Sequence, residues 1–406
     1  MPTMTAVRHS RLLMLALAAA LTLVSCHPYE PIEKDTLKRT VLVYIVAENS
    51  LCYGGWHLAD MAELDTAVDD IPSDCRLVVY VDDDTYPYIY QLKKDKHGKT
   101  VRHTLLKYDE ERESTSKAQM AEVMGLVTAM FPSEEYGLIY WSHGSAWLPA
   151  QRSIGIDNGK NTYSNAGSKM EIEALAEVLQ QFPKLEFLMF DACFMQSIEV
   201  AWTLRNCAKY IIASPAEIPG PGAPYERILT PMFEQTCNVE GIIDEYFHCY
   251  YDSTIYVEQN EPCVYGALLS VVKTDELEPL RTLTEEMLEK YVSPDIREEL
   301  TLVQRYNPVS SSARPEYYDM NGYMKHLITS TLDYAKWHAA FEKAVPYTRA
   351  TGRWFSQYSN GMCYLNRADY GGISMFVPQK YSVYTDMVSW FRNTAWYKEC
   401  WSTTGW

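Results

Sequence analysis

His143 and Cys193 stand fifty positions apart, and each follows a short apolar run: Tyr136–Trp141 before the histidine, Leu185–Phe190 before the cysteine. A thiolate attacks a carbonyl carbon, and an imidazole takes up and returns the protons of that reaction. Taken singly, such a histidine reads as a structural or solvated residue and such a cysteine as a small core filler. Their matching contexts favour a nucleophile and its base. Gly144 leaves the backbone beside His143 without a side chain, so its peptide N–H is free to meet an oxyanion. The N–H of Cys193 is the natural second donor. Cys193 is also expected to open a helix over FMQSIEVAWTL, whose N-terminus would lower the thiol pKa.

What must bring the two together is a sheet. Between residues 40 and 214, β-branched or aromatic runs alternate with stretches of helical spacing. The runs are Thr40–Val46, Arg76–Val81, Tyr136–Trp141, Leu185–Phe190 and Tyr210–Ala213; Ser116–Met130 and Lys169–Leu179 are the clearest helices. Apolar runs without alternation fit strands covered on both faces. The expected fold is therefore α/β: a three-layer αβα sandwich around a mainly parallel sheet with right-handed crossovers. Ligands of such sheets sit outside the carboxyl ends of the strands. Those ends carry Glu48-Asn49, Asp82-Asp83-Asp84, Ser142-His143-Gly144, Asp191-Ala192-Cys193 and Ser214-Pro215-Ala216-Glu217. The aspartate run is read as a solvated turn in preference to a calcium site. Val264–Val272 and Gly372–Val377 suggest two more strands, in the same sheet or in a second subdomain. The first leads to a helix over EPLRTLTEEMLEKY, with Thr274 or Asp275 as N-cap. The stretch 280–370 is rich in tyrosine and helical spacing and assigns no role.

The 406 residues are 47% apolar and 22% charged, enough for a large core. The net charge of −17 argues against a nucleic-acid groove and suits basic partners as well as plain solubility. Arg8 and Arg11 precede an apolar run, Leu12–Val24, that ends in LVSC; this reads as an export signal, and the string resembles a bacterial lipoprotein box with Cys26 as the lipidated residue. The organisation expected is a signal over 1–26, a tether over 27–38, a catalytic α/β region over 39–260, and an α+β extension over 261–406 that completes the domain. No later segment is long and apolar enough to span a membrane. The ten cysteines form no CxxC pair, which speaks against a zinc framework, and no metal ligand set is assigned. Some are candidates for oxidation in an exported protein, with pairing open.

The strings YGLIYWSHGSAW and LEFLMFDACFMQSIEVAW resemble the His and Cys motifs of the clostripain-like cysteine peptidases. VLVYIVAENSL, ASPAEIPGPGAPY, YGGISMFVP and NTAWYKECW extend the resemblance over most of residues 39–406. It implies a caspase-like fold, shared with legumains and gingipains, and cleavage after Arg or Lys through a His–Cys dyad, with His143 as acid/base and Cys193 as nucleophile. Asp191 matches the family's pocket acid; its other reading is the N-cap of the following helix. Glu217 is a second candidate acid, in a loop that would wall the pocket. Two departures stand out: Glu48 where an Asp is common, and Ser145-Ala146 where a second glycine often follows. Relatives mature by self-cleavage, which points to Arg152, Lys160 or Lys169, in or closing an exposed loop over Ala150–Ser168. No cofactor is required, though calcium activates some relatives.

The reading that follows is an exported endopeptidase, lipid-anchored in the bacterial cell envelope on the periplasmic side or the surface, acting on proteins or peptides with basic residues. The alternative is a catalytically silent peptide-binding lipoprotein. A different α/β hydrolase or transferase is disfavoured by the lack of a Gly-x-Ser-x-Gly elbow and of a phosphate loop.

Overall fold

The computed structural model describes residues 35–148, 154–251, 257–258, 261–262, 265–293, 300–307, 317–357, 361–366, 368–378 and 385–406. The leader with Cys26, and Arg152, lie outside them. The main sheet and the hairpin beside it use, in chain order, β1 (Leu37–Val46), β2 (Cys75–Asp82), β3 (Tyr88–Lys94), β4 (Thr100–Lys107), β5 (Ser133–Trp141), β6 (Ile154–Asp157), β7 (Ser168–Met170), β8 (Leu185–Asp191), β9 (Ala208–Ala213), β10 (Leu268–Lys273) and β11 (Tyr347–Ala350). Nine of them form one sheet in the order β11-β10-β9-β8-β5-β1-β2-β3-β4. Pairs among β2, β1, β5, β8 and β9 are parallel, and the two strands added at each side are antiparallel. The expected α/β class and mainly parallel centre are what the chain adopts.

The central strands are buried on both faces because their side chains alternate between two cores. Leu42, Tyr44 and Val46 join one cluster with Val123, Val127, Leu175 and Trp202. Val41, Val43 and Ile45 join the other with Met61, Leu64, Ile228 and Ile242. On the first face lie helices α2 (Lys117–Met130), α3 (Ile172–Leu179), α4 (Ile198–Thr203) and α7 (Leu277–Tyr291); on the second lie α1 (Trp56–Thr66), α5 (Tyr225–Phe233) and α6 (Val239–Tyr251). Ser116 caps α2 by accepting from Gln119 N, as side-chain capping requires.

Several expectations need correction. The tether ends sooner, since β1 begins at Leu37. Lys169 belongs to β7, and α3 starts only at Ile172. Thr274–Glu276 forms a 3-10 turn before α7, whose N-cap position is Glu276 with no side-chain cap. The Thr274 hydroxyl instead donates to Ala208 O at 2.7 Å, tying that turn to β9. β10 does extend the main sheet. Within Gly372–Val377 only Ser374–Met375 is strand, paired with Tyr318–Asp319 outside that sheet. The antiparallel strands β3, β4 and β11 went unread, because pairing partners on a sheet edge leave little apolar periodicity. Among the described cysteines, Cys52, Cys75, Cys193, Cys207, Cys237 and Cys400 are free thiols, and no described helix is long and apolar enough to cross a membrane.

One charged group is embedded in this frame. Arg39 on β1 is fully buried; its Nε donates to Glu135 Oε2 at 2.9 Å, and its Nη1 to Met232 O at 2.6 Å and Glu234 O at 2.8 Å. It thereby joins β1, β5 and the end of α5. Removing one partner of such a pair strands the other, so Arg39→Ala should lower the unfolding free energy by about 3 kcal/mol, read as a lower urea midpoint with an unchanged slope.

Candidate active site

Sheet register brings the two chemical residues together. β5 and β8 run parallel with Trp141 opposite Asp191, and Ser142 N donates to Asp191 O at 3.3 Å. His143 and Cys193 each follow that matched pair by two residues, so they leave the same edge side by side. Gly144 makes the final approach possible: a Cβ there would lie 2.6 Å from the Cys193 carbonyl oxygen and 2.9 Å from Met195 Sδ. Among the described residues, no acceptor engages the peptide N–H of Gly144 or of Cys193.

Cys193 does not begin a helix. α4 starts at Ile198, capped by Ser197, and residues 192–197 form a loop. Asp191 is not its cap either. Phe194 N donates to Ala216 O and Gln196 N to Ser214 O, each at 2.9 Å, pinning the loop to the chain beyond β9. Phe194 is held at φ +63°, a conformation that costs a bulky L-residue energy and persists where neighbours impose it. One such neighbour is Tyr317, whose ring stacks on Phe194 at 4.7 Å while its hydroxyl donates to Ser145 O at 3.0 Å. A residue from the stretch that showed no role thus clamps the cysteine loop to the histidine loop.

Asn49 performs a similar task. Its Nδ2 donates to Val46 O at 3.0 Å and Ile156 O at 2.9 Å and reaches Ser142 Oγ at 3.4 Å, while its Oδ1 accepts from Leu51 N at 3.0 Å. It locks the end of β1, the histidine loop and the β6–β7 hairpin together.

At rest both members of the pair are neutral near pH 7. Burial pushes the Cys193 thiol up to about 12, against the opposing bond from Ile218 N, which reaches Sγ at 3.4 Å; Glu217 and Asp191 add negative charge nearby. Burial lowers His143 to about 4, and the charge of Lys169 acts in the same direction. His143 Nε2 meets Ser50 Oγ at 3.0 Å. Asn165, on the turn between β6 and β7, donates to that oxygen at 3.0 Å and accepts from Ser50 N at 3.1 Å.

Beneath the cysteine lies an acidic floor. Asp191 Oδ2 accepts from Ala223 N at 3.1 Å and from the Tyr225 hydroxyl at 2.9 Å, while Oδ1 has no hydrogen-bond partner. Asp60 Oδ2 accepts from Trp141 Nε1 at 2.6 Å, and its Oδ1 is likewise unpartnered. Glu63 accepts from Tyr225 N at 2.8 Å. Burial raises all three: Asp191 to about 6, Asp60 to about 10 with Asp191 adding to the effect, and Glu63 to about 9 with Glu226 adding. Sequence reasoning found Asp191 and missed the other two. The available signal was Asp60 interrupting the buried stripe His57–Met61–Leu64 of α1. Glu217 stands apart from this floor, its Oε1 accepting from Gln357 N at 2.9 Å.

The segment between the dyad motifs is a hairpin with a turn over 158–167, where a simple exposed loop was expected. Lys160 is exposed at φ +69° on that turn. Lys169 is half-buried in β7 beside the fully buried Met170. The aspartate run is not a solvated turn as a whole. Asp82 is fully buried, Asp83 accepts from the Thr85 N–H and hydroxyl, and only Asp84 is exposed.

Residues 43–404 match the model of the clostripain family, Peptidase C11. The chain belongs to the clostripain family. It is a cysteine peptidase of that family, similar to a secreted C11 cysteine protease from Bacteroides thetaiotaomicron solved with an irreversible peptide inhibitor: 29% identity, TM-score 0.79, covering 90% of this chain and 99% of that one. It is also similar to an inactive zymogen C11 protease from Parabacteroides distasonis, at 26% identity and TM-score 0.76, covering 91% and 99%. A B. fragilis cysteine protease is 34% identical over 60% of this chain and 98% of its own, with TM-score 0.55. No curated protein sequence matches.

The departure from the clostripain-like motif at Ser145-Ala146 has a local cost, because Ala146 sits at φ +54°. Ala146→Gly should stabilise the protein by about 1 kcal/mol, read as a raised urea midpoint. His143 provides a pH test. Its folded pKa of about 4 lies below the unfolded value of about 6.5, so its neutral form supports the fold above about pH 6.5 and that support is lost as pH falls through 4. Urea unfolding at pH 7 and pH 4 should show His143→Gln losing less stability over that interval than wild type, by up to about 3 kcal/mol.

Proposed function

We propose that the protein is an exported endopeptidase that cleaves after Arg or Lys, with Cys193 as nucleophile and His143 as general acid and base. The observation that carries the specificity is the buried Asp191–Asp60 pair, which has an unpartnered oxygen on each residue and, among the described residues, no cation paired with it. A guanidinium or ammonium entering over that floor supplies the missing charge and the missing donors, whereas a neutral side chain leaves two carboxyls crowded together.

In the reaction, His143 exchanges its contact with Ser50 for the Cys193 proton. The thiolate adds to the scissile carbonyl carbon, and the oxyanion is held by the N–H groups of Gly144 and Cys193. The imidazolium then protonates the leaving amine as the C–N bond breaks. Water, deprotonated by His143, hydrolyses the thioester and restores the thiol. Every proton in this sequence passes between substrate, water and these two side chains.

Of the two described basic residues considered for self-cleavage, Lys160 is exposed and Lys169 half-buried, and the exposed turn leaves the peptide bond after Lys160 open to attack. Cutting there frees Asn165 from one flank of its turn and loosens the hold of Ser50 on His143. Export and lipid anchoring at Cys26 rest on the leader's pattern alone.

The test is hydrolysis of reporter peptides ending in Arg, Lys or an uncharged residue by the purified full-length protein. Cys193→Ala should abolish turnover. Asp191→Asn should lower kcat/KM for the basic peptides by about 100-fold, as for a buried charge pair losing one partner, with little change for the uncharged one. Equal cleavage of all three peptides by wild type would overturn the assigned specificity.

A further inference from the structure

The His143 side of the sheet edge carries an open pair of aromatic rings. Tyr53 is 68% exposed and Tyr163 79%, and their ring centroids lie 4.8 Å apart. Single exposed apolar residues are ordinary on a protein surface, but two large rings set against each other and left to water form a patch. Tyrosine rings are rigid and lose little freedom when a further apolar group settles on them.

Local sequence holds both rings up. Ser50–Tyr53 is a single helical turn capped by Asn49, whose Oδ1 accepts from Leu51 N at 3.0 Å. Gly54 and Gly55 end it. A Cβ at Gly54 would lie 2.6 Å from Trp56 Nε1, and Gly55 stands at φ +72°, so the chain turns into α1 and leaves Tyr53 at the tip. Tyr163 sits on the turn between β6 and β7, where Asn161 Oδ1 accepts from its N–H at 3.3 Å and Asn158 Nδ2 donates to Ser164 O. On the same turn, Lys160 Nζ lies 3.4 Å from the centroid of the Tyr86 ring, so that ring already has a partner.

The position of the open pair points to its role. Ser50 Oγ meets His143 Nε2 at 3.0 Å and accepts from Asn165 Nδ2 at 3.0 Å, while Ser50 N donates to Asn165 Oδ1 at 3.1 Å. Tyr53 follows Ser50 by three residues and Tyr163 precedes Asn165 by two, so both rings ride on the bridge that touches the imidazole. On the reading proposed above, the acyl half of a substrate sends its basic side chain to Asp191 and Asp60. The amine half must come within about 3 Å of the imidazole to take its proton. From there it runs out over the Ser50–Asn165 bridge. One helical turn advances about 5.4 Å and an extended peptide about 3.3 Å per residue, which brings the second residue after the scissile bond to the rings.

We propose that Tyr53 and Tyr163 bind the leaving half of the substrate and select an aromatic or other large apolar side chain at the second position after the scissile bond. This rests on the His143–Cys193 assignment and extends it. The acidic floor reads the residue before the bond, and the ring pair reads a residue after it. Both rings act through binding and take no part in the proton transfers.

The experiment measures, by fluorescence anisotropy, the binding of labelled peptides to full-length protein carrying Cys193→Ala, so that no turnover intervenes. The peptides combine Arg or Gln before the scissile bond with Phe or Gly at the second position after it. Phe should tighten Kd about 10-fold over Gly, the order expected for one aromatic contact and the area it buries. Tyr53→Ser together with Tyr163→Ser should remove that preference. Tyr53→Phe should keep it, because the ring and not the hydroxyl makes the contact, and so should Leu332→Ser at another exposed apolar position. Asp191→Asn should weaken the Arg peptides and leave the Phe-to-Gly ratio intact, which separates this inference from the basic-residue reading. Equal affinity for the Phe and Gly peptides would overturn the role of the ring pair. So would an undiminished preference in the double variant, or a folded protein that binds none of the peptides.

Discussion

The parallel register of β5 and β8 is the constraint on which everything else depends. Because Trp141 lies opposite Asp191, the next residues of both strands emerge together, and a histidine and a cysteine remote in sequence become neighbours. The period of two along a strand makes this placement exacting, since a slip of one residue would turn every side chain to the opposite face. The two cores enforce it, for the alternating residues of both strands are apolar and buried on both sides. Clamps then refine what register begins: Gly144 allows the loops to touch, while Tyr317 and Asn49 fasten them to the rest of the chain.

A second theme is buried carboxyls. Asp60 and Asp191, with the half-buried Glu63, gather near the cysteine, and Glu48, Asp82 and Asp157 gather at the ends of β1, β2 and β6. Both groups are held by backbone N–H donors or hydroxyls that leave some oxygens bare. Burying a charge is costly unless it is paired, and burial raises Glu48, Asp60, Glu63 and Asp82 far enough to keep their carboxyls protonated near pH 7.

His143 and Cys193 are both uncharged near neutral pH. The thiol is protonated, the imidazole is neutral, and the histidine faces a serine that a neighbouring turn holds in place. The same turn joins the catalytic edge to the carboxylate cluster through Asn158 and Gly159. Thus one hairpin contacts both places where charge is poised.

By itself the sequence determined the layered α/β class and the five central strands, and it singled out His143 and Cys193 as the residues to watch. Those depend on local information: unbroken apolar runs, helical spacing, and the short strings around His143 and Cys193. It also pointed to Asp191, through its place two residues before the thiol. Tertiary structure alone decided what stands around them. Asp60 and Glu63 arrive from a helix, Trp56–Thr66, remote in sequence from Trp141 and Asp191, Tyr317 from beyond the thiol, and Asn165 from a turn that looked like plain loop. The supposed helix at Cys193 gave way because contacts to Ser214, Ala216 and Tyr317 outweigh local helical preference. Contacts between distant residues leave no periodic trace in one chain, so their partners, and the protonation states they impose, exist only once the sheet has brought them together.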